Sequence, residues 1–437
     1  MGITIVQKSD LSHPKPDPKI ALVLSGGGIS GGAFKLGGLR VLNSFMLNRK
    51  IEDFDLFVGV SAGAMISAYL ANGISVDDVS HSLEGMRGIL DPIRASELYA
   101  LNYMDILTIP SRVLEHSATI ILRGVPDFLM ANNIFKKDFR KSLLNIISRP
   151  GYGNVRQFVK DCLRRKELTV RQTSLPWHFI PNGIFRTDKF EQSNRENLEN
   201  NDLCNDFRSL YKKKGKELYI IATNLNTAER VIFGHDYVHN VLISKAMQAS
   251  IAIPLFYKPV TIGDADYVDG AVVKTASMDL AITKDADLII CYNPFRPFNC
   301  DSFSMHYKEE NGGRFRIAED GIYAVLNQVM RSMLHTRLMH GIDLYRKDPD
   351  FKGDIILFQP TEYDNAFFEM NPMSFRERRK AAKRGFESVK GAINGQYDIL
   401  KKILNAHGIE VNPEFRADLP DMAEDAFWDQ RETVSGI

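Results

Sequence analysis

The sequence predicts an α/β fold with a mostly parallel central sheet covered by helices, and three observations predict it. Short apolar runs of strand type alternate with stretches of helical spacing. The first two of these strands each run straight into a glycine-flanked turn and then a helix. Hydrophobic residues make up 44% of the 437 and charged residues 25%, enough apolar material for a packed core and too much for a disordered or fibrous chain.

Taken in order, residues 1–19 are polar and carry Pro14, Pro16 and Pro18, which predicts an extended arm. Ile20 to Ser25 is the first strand. Seven glycines follow between Gly26 and Gly38, and Phe34, Leu36, Leu39 and Leu42 then recur at helical spacing. Phe54 to Val60 is a second strand that ends on Ser61, with a helix beginning near Ala62. From about 91 to 215 the pattern changes to long amphipathic stretches and a polar segment rich in Asn and Glu, which reads as a helical insertion or cap. Strand signals return at Glu217 to Leu225, Arg230 to Gly234, Ala265 to Val268 and Asp287 to Pro294, and the last of these closes the expected sheet. The expected organisation is therefore an arm (1–19), a core (20–295) with its insertion, and a mainly helical region (296–437) with one late strand at Asp354 to Pro360.

Lys and Arg number 55 against 54 Asp and Glu, so the net charge of +1 gives no global field to attract nucleic acid or an anionic membrane. Cys162, Cys204, Cys291 and Cys300 are too few and too scattered for a disulfide framework or a zinc site, and they read as free thiols. The amino terminus lacks the apolar stretch of a signal peptide. Gly2 raises myristoylation, but Val6 stands where that motif wants Ser or Thr. No run of 18 apolar residues is long enough to span a bilayer, so the chain reads as soluble and cytoplasmic, with peripheral membrane contact left open.

Gly26-Gly27-Gly28-Ile29-Ser30-Gly31 fits G-x-G-x-x-G after a strand and before a helix, a dinucleotide fingerprint. That reading needs an acid closing the second strand, whereas Asp53 and Asp55 open it. What closes it is Gly59-Val60-Ser61-Ala62-Gly63, a G-x-S-x-G nucleophile elbow. Glycines two before and two after the serine remove the Cβ atoms that would collide in so sharp a turn. The following helix presents its positive end to developing negative charge. Only one strand–helix unit precedes Ser61, unlike an α/β-hydrolase, so the glycine turn lies beside the elbow. Its unobstructed N–H groups suit an oxyanion hole better than a phosphate cradle.

A serine nucleophile needs a base. His306, His335 and His340 satisfy a Ser…Asp…His chain order, but they fall in a polar loop or in helical patterns and read as surface or packing histidines. Asp269, at a strand end before Gly270-Ala271, has the better context, although Asp-Gly is also common turn chemistry.

Ser25 to Gly31, Gly59 to Gly63 and Val268 to Ala271, in this order, resemble the patatin-like phospholipase family (bacterial-type patatin domain). Ala222 to Gly234, Ser244 to Pro254 and Asp287 to Pro294 add to the resemblance, which runs from about Ile20 to Pro294. It implies a three-layer α/β/α fold and a Ser–Asp dyad without a catalytic histidine. Ser61 would be the nucleophile, Asp269 the general base, and Gly26, Gly27 and Gly28 the oxyanion hole, with Gly31, Gly59, Gly63 and Gly270 as motif glycines. The implied activity is hydrolysis of a lipid carboxylic ester, of phospholipase A or lysophospholipase type, through an acyl-serine intermediate and with no metal or organic cofactor. The fifth place of the glycine turn, often Lys or Arg in the family, is Ser30 here. That departure motivates an alternative reading, a non-catalytic lipid-binding or regulatory protein on the same scaffold; acyl transfer to an acceptor other than water is another. Lys35 is expected as a solvated helix lysine, with substitution for the missing basic residue as the other reading.

Ile106-Leu107, Ile120 to Leu122 and Phe128 to Met130 are apolar stretches that either pack a cap or line an acyl groove. Over 375–404, Phe375, Ala382, Phe386, Val389, Ile393, Tyr397, Leu400 and Leu404 recur at helical spacing between basic residues. Such a basic amphipathic helix packs on the core or lies on an anionic membrane surface, and the packing reading is preferred. From Asn405 to the end, eight acidic residues face two basic ones, a tail able to neutralise that helix.

Overall fold

The computed structural model describes residues 2–103, 105, 181–300, 316–413 and 415. The chain divides into two compact units, one formed by Met1–Ala100 with Phe185–Ile437, the other by Leu101–Ile184. In the described part of the smaller unit, Asn102 donates its N–H to the Ile184 carbonyl (2.8 Å) and its side-chain amide to Gly183 (3.0 Å). The apolar stretches predicted at 106–130, Cys162, His306 and the acidic tail beyond 415 lie outside the described residues.

Nine strands of the larger unit make one sheet: β1 (Ile3–Val6), β2 (Ile20–Leu24), β3 (Leu56–Val60), β4 (Glu217–Asn224), β5 (Arg230–Phe233), β6 (Val260–Ile262), β7 (Ala265–Asp269), β8 (Leu288–Tyr292) and β9 (Asp354–Phe358). The order across the sheet is β1-β9-β8-β2-β3-β4-β7-β6, with β5 also on β4. The run from β9 to β4 is parallel, and β1, β5, β6 and β7 pair antiparallel. Every residue of β2, β3, β8 and β9 is buried, the pattern expected when both faces of a parallel sheet are covered.

Alternate side chains feed two separate cores. Leu22, Leu24 and Phe57 join one with α1 (Gly28–Phe45), α2 (Ala62–Ala71), α3 (Val76–Glu84), α4 (Asp188–Asn200) and α5 (Ile243–Ser250). Ala21, Val23 and Val58 join the other with α6 (Met278–Thr283) and α7 (Gly321–Lys347). The result is the three-layer α/β/α arrangement.

Two edges differ from the sequence reading. The arm is not simply extended: β1 pairs Ile3 with Phe358 through Val6 with Ile355. Gly2 is buried, with its carbonyl accepting from Gln359 N–H at 2.8 Å. Nor does the sheet close at β8, because β9, from the carboxyl-terminal region, lies parallel beside it.

The predicted helix over 375–404 is two helices, α8 (Arg378–Gly395) and α9 (Tyr397–Ala406). Ala382, Phe386, Val389 and Ile393 of α8 pack into the core that also holds α1. Two of its basic residues cap α3: Arg378 Nε donates to Leu83 O (2.7 Å), and Arg378 and Arg379 both donate to Glu84 O. The apolar face is thus spent on the protein interior, and Arg376, Lys380 and Arg384 remain on the exposed side.

α1 and α8 cross at backbone contact. A Cβ on Gly37 would overlap the Ala382 carbonyl, and one on Gly385 would overlap the Phe34 carbonyl. Gly385→Ala should therefore force the helices apart and destabilise the chain by about 1–3 kcal/mol or more, read as a lower midpoint in urea at unchanged slope. An alanine variant as stable as the parent would contradict the crossing.

Candidate active site

The site assembles where β2 and β3 end, outside the carboxyl edge of the parallel strands, where α/β sheets generally place ligands. β3 delivers Ser61 to the N-cap of α2 with φ 55° and ψ −128°, a conformation that L residues rarely adopt. Two close approaches explain the flanking glycines. A Cβ on Gly59 would sit 2.5 Å from Ala64 Cα, and one on Gly63 would overlap the Leu24 carbonyl. The elbow is held from below, since Ser61 N–H donates to Ser250 Oγ (2.8 Å) and that hydroxyl donates to Ile221 O (2.6 Å). Ser61 makes no side-chain cap to α2, which leaves its hydroxyl for another partner.

Asp269 stands at the end of β7, near enough that the Ser61 side chain helps to hold its carboxyl down. Asp269 Oδ1 accepts the Ala271 N–H at 2.8 Å, and Gly270 opens the turn between them. The aspartate main chain is fixed by Ala252 O (3.0 Å) and Thr223 Oγ1 (3.0 Å). Burial pushes the carboxyl up to about 6, against the opposing pull of the Ser61 hydroxyl, the Ala271 N–H and the Lys35 charge.

The Gly26–Gly28 turn lies beside the elbow: a Cβ on Gly26 would meet Ser61 Cβ at 3.1 Å. Ile29 and Ser30 N–H donate to Pro372 O (2.8 and 3.2 Å), and Gly31 N–H donates to Gly27 O (3.1 Å). Among the described residues no main-chain carbonyl takes the N–H of Gly26, Gly27 or Gly28. Ser30 is buried under the Pro372 segment.

Lys35 is not a solvated helix lysine. It is fully buried, and its ammonium donates to the carbonyls of Ser25 and of Gly26, the latter at 3.1 Å. Burial pushes it down to about 7, opposed by the Asp269 charge. The physical reason is that α1 has no polar face there, since every residue from Ile29 to Leu39 is buried. The sequence carried a signal: Lys35 is the only charged residue between Gly26 and Leu39.

Above Ser61 opens a narrow pocket lined among others by Ile29, Met65, Leu83, Ile93, Leu98, Phe190, Ile251, Tyr257 and Met373. The lining is almost wholly apolar, and Ser61 and Gly28 sit in its wall. Among the described residues no group of three or more His, Cys, Asp or Glu side chains could hold a metal ion.

Residues 22–282 match the family model described as patatin-like phospholipase. The chain belongs to this family. A relative is the protein named Probable lipid hydrolase 463L of Invertebrate iridescent virus 6, 23% identical over 268 residues. That match covers 61% of this chain and 65% of the viral protein, just under two thirds of its length. Solved structures similar to the chain include VipD from Legionella pneumophila, 18% identical with a TM-score of 0.38, covering 90% of this chain and 70% of that one. Human GIVD cytosolic phospholipase A2, in complex with methyl gamma-linolenyl fluorophosphonate, is 10% identical with a TM-score of 0.34, covering 89% and 59%.

In this patatin-like chain the competing residues fall elsewhere. His335 and His340 both lie on α7, the first hydrogen-bonded to Gln359 (3.2 Å) and the second exposed. Asp55, weighed as a ribose ligand, accepts from Ile20 N–H (2.7 Å) at the opposite end of the strands. Cys204 and Cys291 are buried free thiols. Sequence reasoning missed the Pro372–Met373 segment, which anchors α1 and lines the cavity although it lies some 340 residues further along the chain than Ile29. No local pattern marks it. No helix among the described residues is long and apolar enough to cross a membrane.

Proposed function

We propose that the chain hydrolyses the carboxylic ester of a lipid by attack of Ser61 Oγ on the ester carbonyl, with Asp269 as the base. The observation that carries this reading is the placing of the buried Asp269 carboxylate beside Ser61, which sits on a strained elbow in the wall of an apolar cavity. An acyl chain in the cavity brings the ester carbonyl against Ser61. Asp269 takes the serine proton as the tetrahedral intermediate forms, and the carbonyl oxygen receives the N–H groups of the Gly26–Gly28 turn. Collapse expels the alcohol, which takes the proton from Asp269, and leaves an acyl-Ser61 ester. Water then attacks that ester, with Asp269 as base again, and the fatty acid leaves.

A carboxyl held near 6 suits this role, because at neutral pH it is ionised yet basic enough to accept a proton in the transition state. The strained elbow keeps the hydroxyl facing the cavity, and the lining excludes water from the first oxyanion until the alcohol leaves.

A fluorophosphonate probe carrying an alkyl chain should label Ser61 stoichiometrically, as read by mass spectrometry of the modified peptide. A panel of phospholipids, lysophospholipids and acylglycerols should yield free fatty acid from at least one. Labelling of another residue, or no product from any ester, would remove the reading.

A further inference from the structure

We propose that Lys35 is a positioning residue for the oxyanion, acting on the reaction through the Ser25–Gly26 and Gly26–Gly27 peptides without touching substrate. The proposal rests on the Ser61 reading above and deepens it. Among the described residues the ammonium has two hydrogen-bond acceptors, the carbonyls of Ser25 and Gly26. Those carbonyls belong to the peptides whose N–H groups are those of Gly26 and Gly27. In a trans peptide C=O and N–H point in opposite directions, so a donor that grips the carbonyls from inside the fold turns both N–H groups to the other side. Gly26 stands beside Ser61, and these N–H groups have no main-chain acceptor among the described residues.

Burial makes the case stronger. An ammonium with 0% exposure and, among the described residues, no carboxylate hydrogen-bonded to it is a costly way to fill space that Leu or Met would fill without penalty. What the charge supplies is polarisation: a carbonyl that accepts from a cation makes the N–H of the same peptide a stronger donor. As the tetrahedral intermediate forms, negative charge appears on the far side of those peptides from the ammonium, in surroundings that screen it little. Lys35 thereby balances the oxyanion from behind the turn.

Other groups around Lys35 leave it this task. Asp269 on β7 is the acidic group whose charge acts on it, and the Cys291 thiol on β8, pushed up by burial to about 12, stays neutral. α2 carries no charged residue. On α8, Arg378 and Arg379 are committed to Glu84 O and Arg384 to Glu387, while on α3 Asp77 pairs with Arg40.

The test compares Lys35→Met, Lys35→Arg and Ser61→Ala on a soluble ester, with kcat and KM from full pH profiles and folding checked by thermal midpoint. Full profiles separate a shift in Asp269 ionisation from a loss of height. Lys35→Met should lower maximal kcat about 10²–10³-fold with KM within about threefold and the midpoint no lower. Lys35→Arg should recover at least about tenfold of that loss, since the cation is kept. It should also abolish the decline of wild-type kcat as Lys35 loses its proton above neutral pH. A Lys35→Met enzyme with near-parental kcat, or a folded Lys35→Arg as poor as the methionine variant, overturns the role of Lys35 while Ser61→Ala stays inert. Undiminished hydrolysis by Ser61→Ala instead overturns the Ser61 reading and this proposal with it. Should Lys35→Met fail to fold, the unmodified chain decides. With 15N-glycine label and a fluorophosphonate on Ser61, the Gly26 and Gly27 amide protons should move upfield together as Lys35 titrates, and shifts that ignore that titration overturn the proposal.

Discussion

Asp269→Asn should lower ester turnover about 10⁴-fold and, at neutral pH, leave the chain more stable than the parent. Asparagine keeps the shape and can still accept the Ala271 N–H, but it takes no proton from Ser61. In the parent, turnover should rise as pH passes through about 6, because the carboxyl must be ionised to serve as base, and burial has moved that ionisation up from 3.8. The same shift sets the stability. Between about pH 4 and 6 the folded chain holds a proton on Asp269 that the unfolded chain has released, so stability falls as pH rises through this window. Above it the buried carboxylate costs roughly 3 kcal/mol. The asparagine variant escapes this cost, so its advantage in urea should be largest near pH 8 and vanish below pH 4. Parental turnover in the variant would sink the base assignment. A variant less stable than the parent at pH 8 would sink the account of the carboxyl.

How far this could be read from the sequence depends on how local each feature is. The β2–α1 and β3–α2 units are contiguous, and their glycines are dictated by approaches within the same turn, such as Gly59 against Ala64. Their positions and chemistry therefore survive in the pattern. Asp269 could be picked out because its strand and turn are also contiguous, though nothing local says that it meets Ser61. β1 was illegible for the opposite reason. Ile3 to Val6 is four residues in a polar arm, and its partner β9 lies some 350 residues away. Its strand character comes from that pairing alone. Likewise the period of Ala382, Phe386, Val389 and Ile393 predicts a buried face but not which surface buries it. That surface is α1, and its presence explains Lys35. Covered by the sheet on one side and by α8 on the other, α1 has no solvent face from Ile29 to Leu39, so its single lysine is driven inward to the carbonyls of Ser25 and Gly26.

Ser61→Ala should remove turnover by about 10⁴–10⁶-fold and abolish fluorophosphonate labelling, yet leave the fold as it is. The main-chain anchors of the elbow do not depend on the hydroxyl, since Ser250 Oγ takes the Ser61 N–H and Ala64 N–H takes the Ser61 carbonyl (2.8 Å). Alanine retains the Cβ and so retains the strain of φ 55° and ψ −128°. Glycine does not, and Ser61→Gly should be more stable than Ser61→Ala by about 1–2 kcal/mol, offset in part by the greater freedom of glycine in the unfolded chain. The two inert variants thus separate chemistry from conformation. Both lose the acyl acceptor, and only one gives up the strain that aims it at the cavity. Equal stability would show that the elbow is relaxed at Ser61, while residual turnover in either above that of an Asp269→Asn enzyme would show that acyl transfer runs through another group.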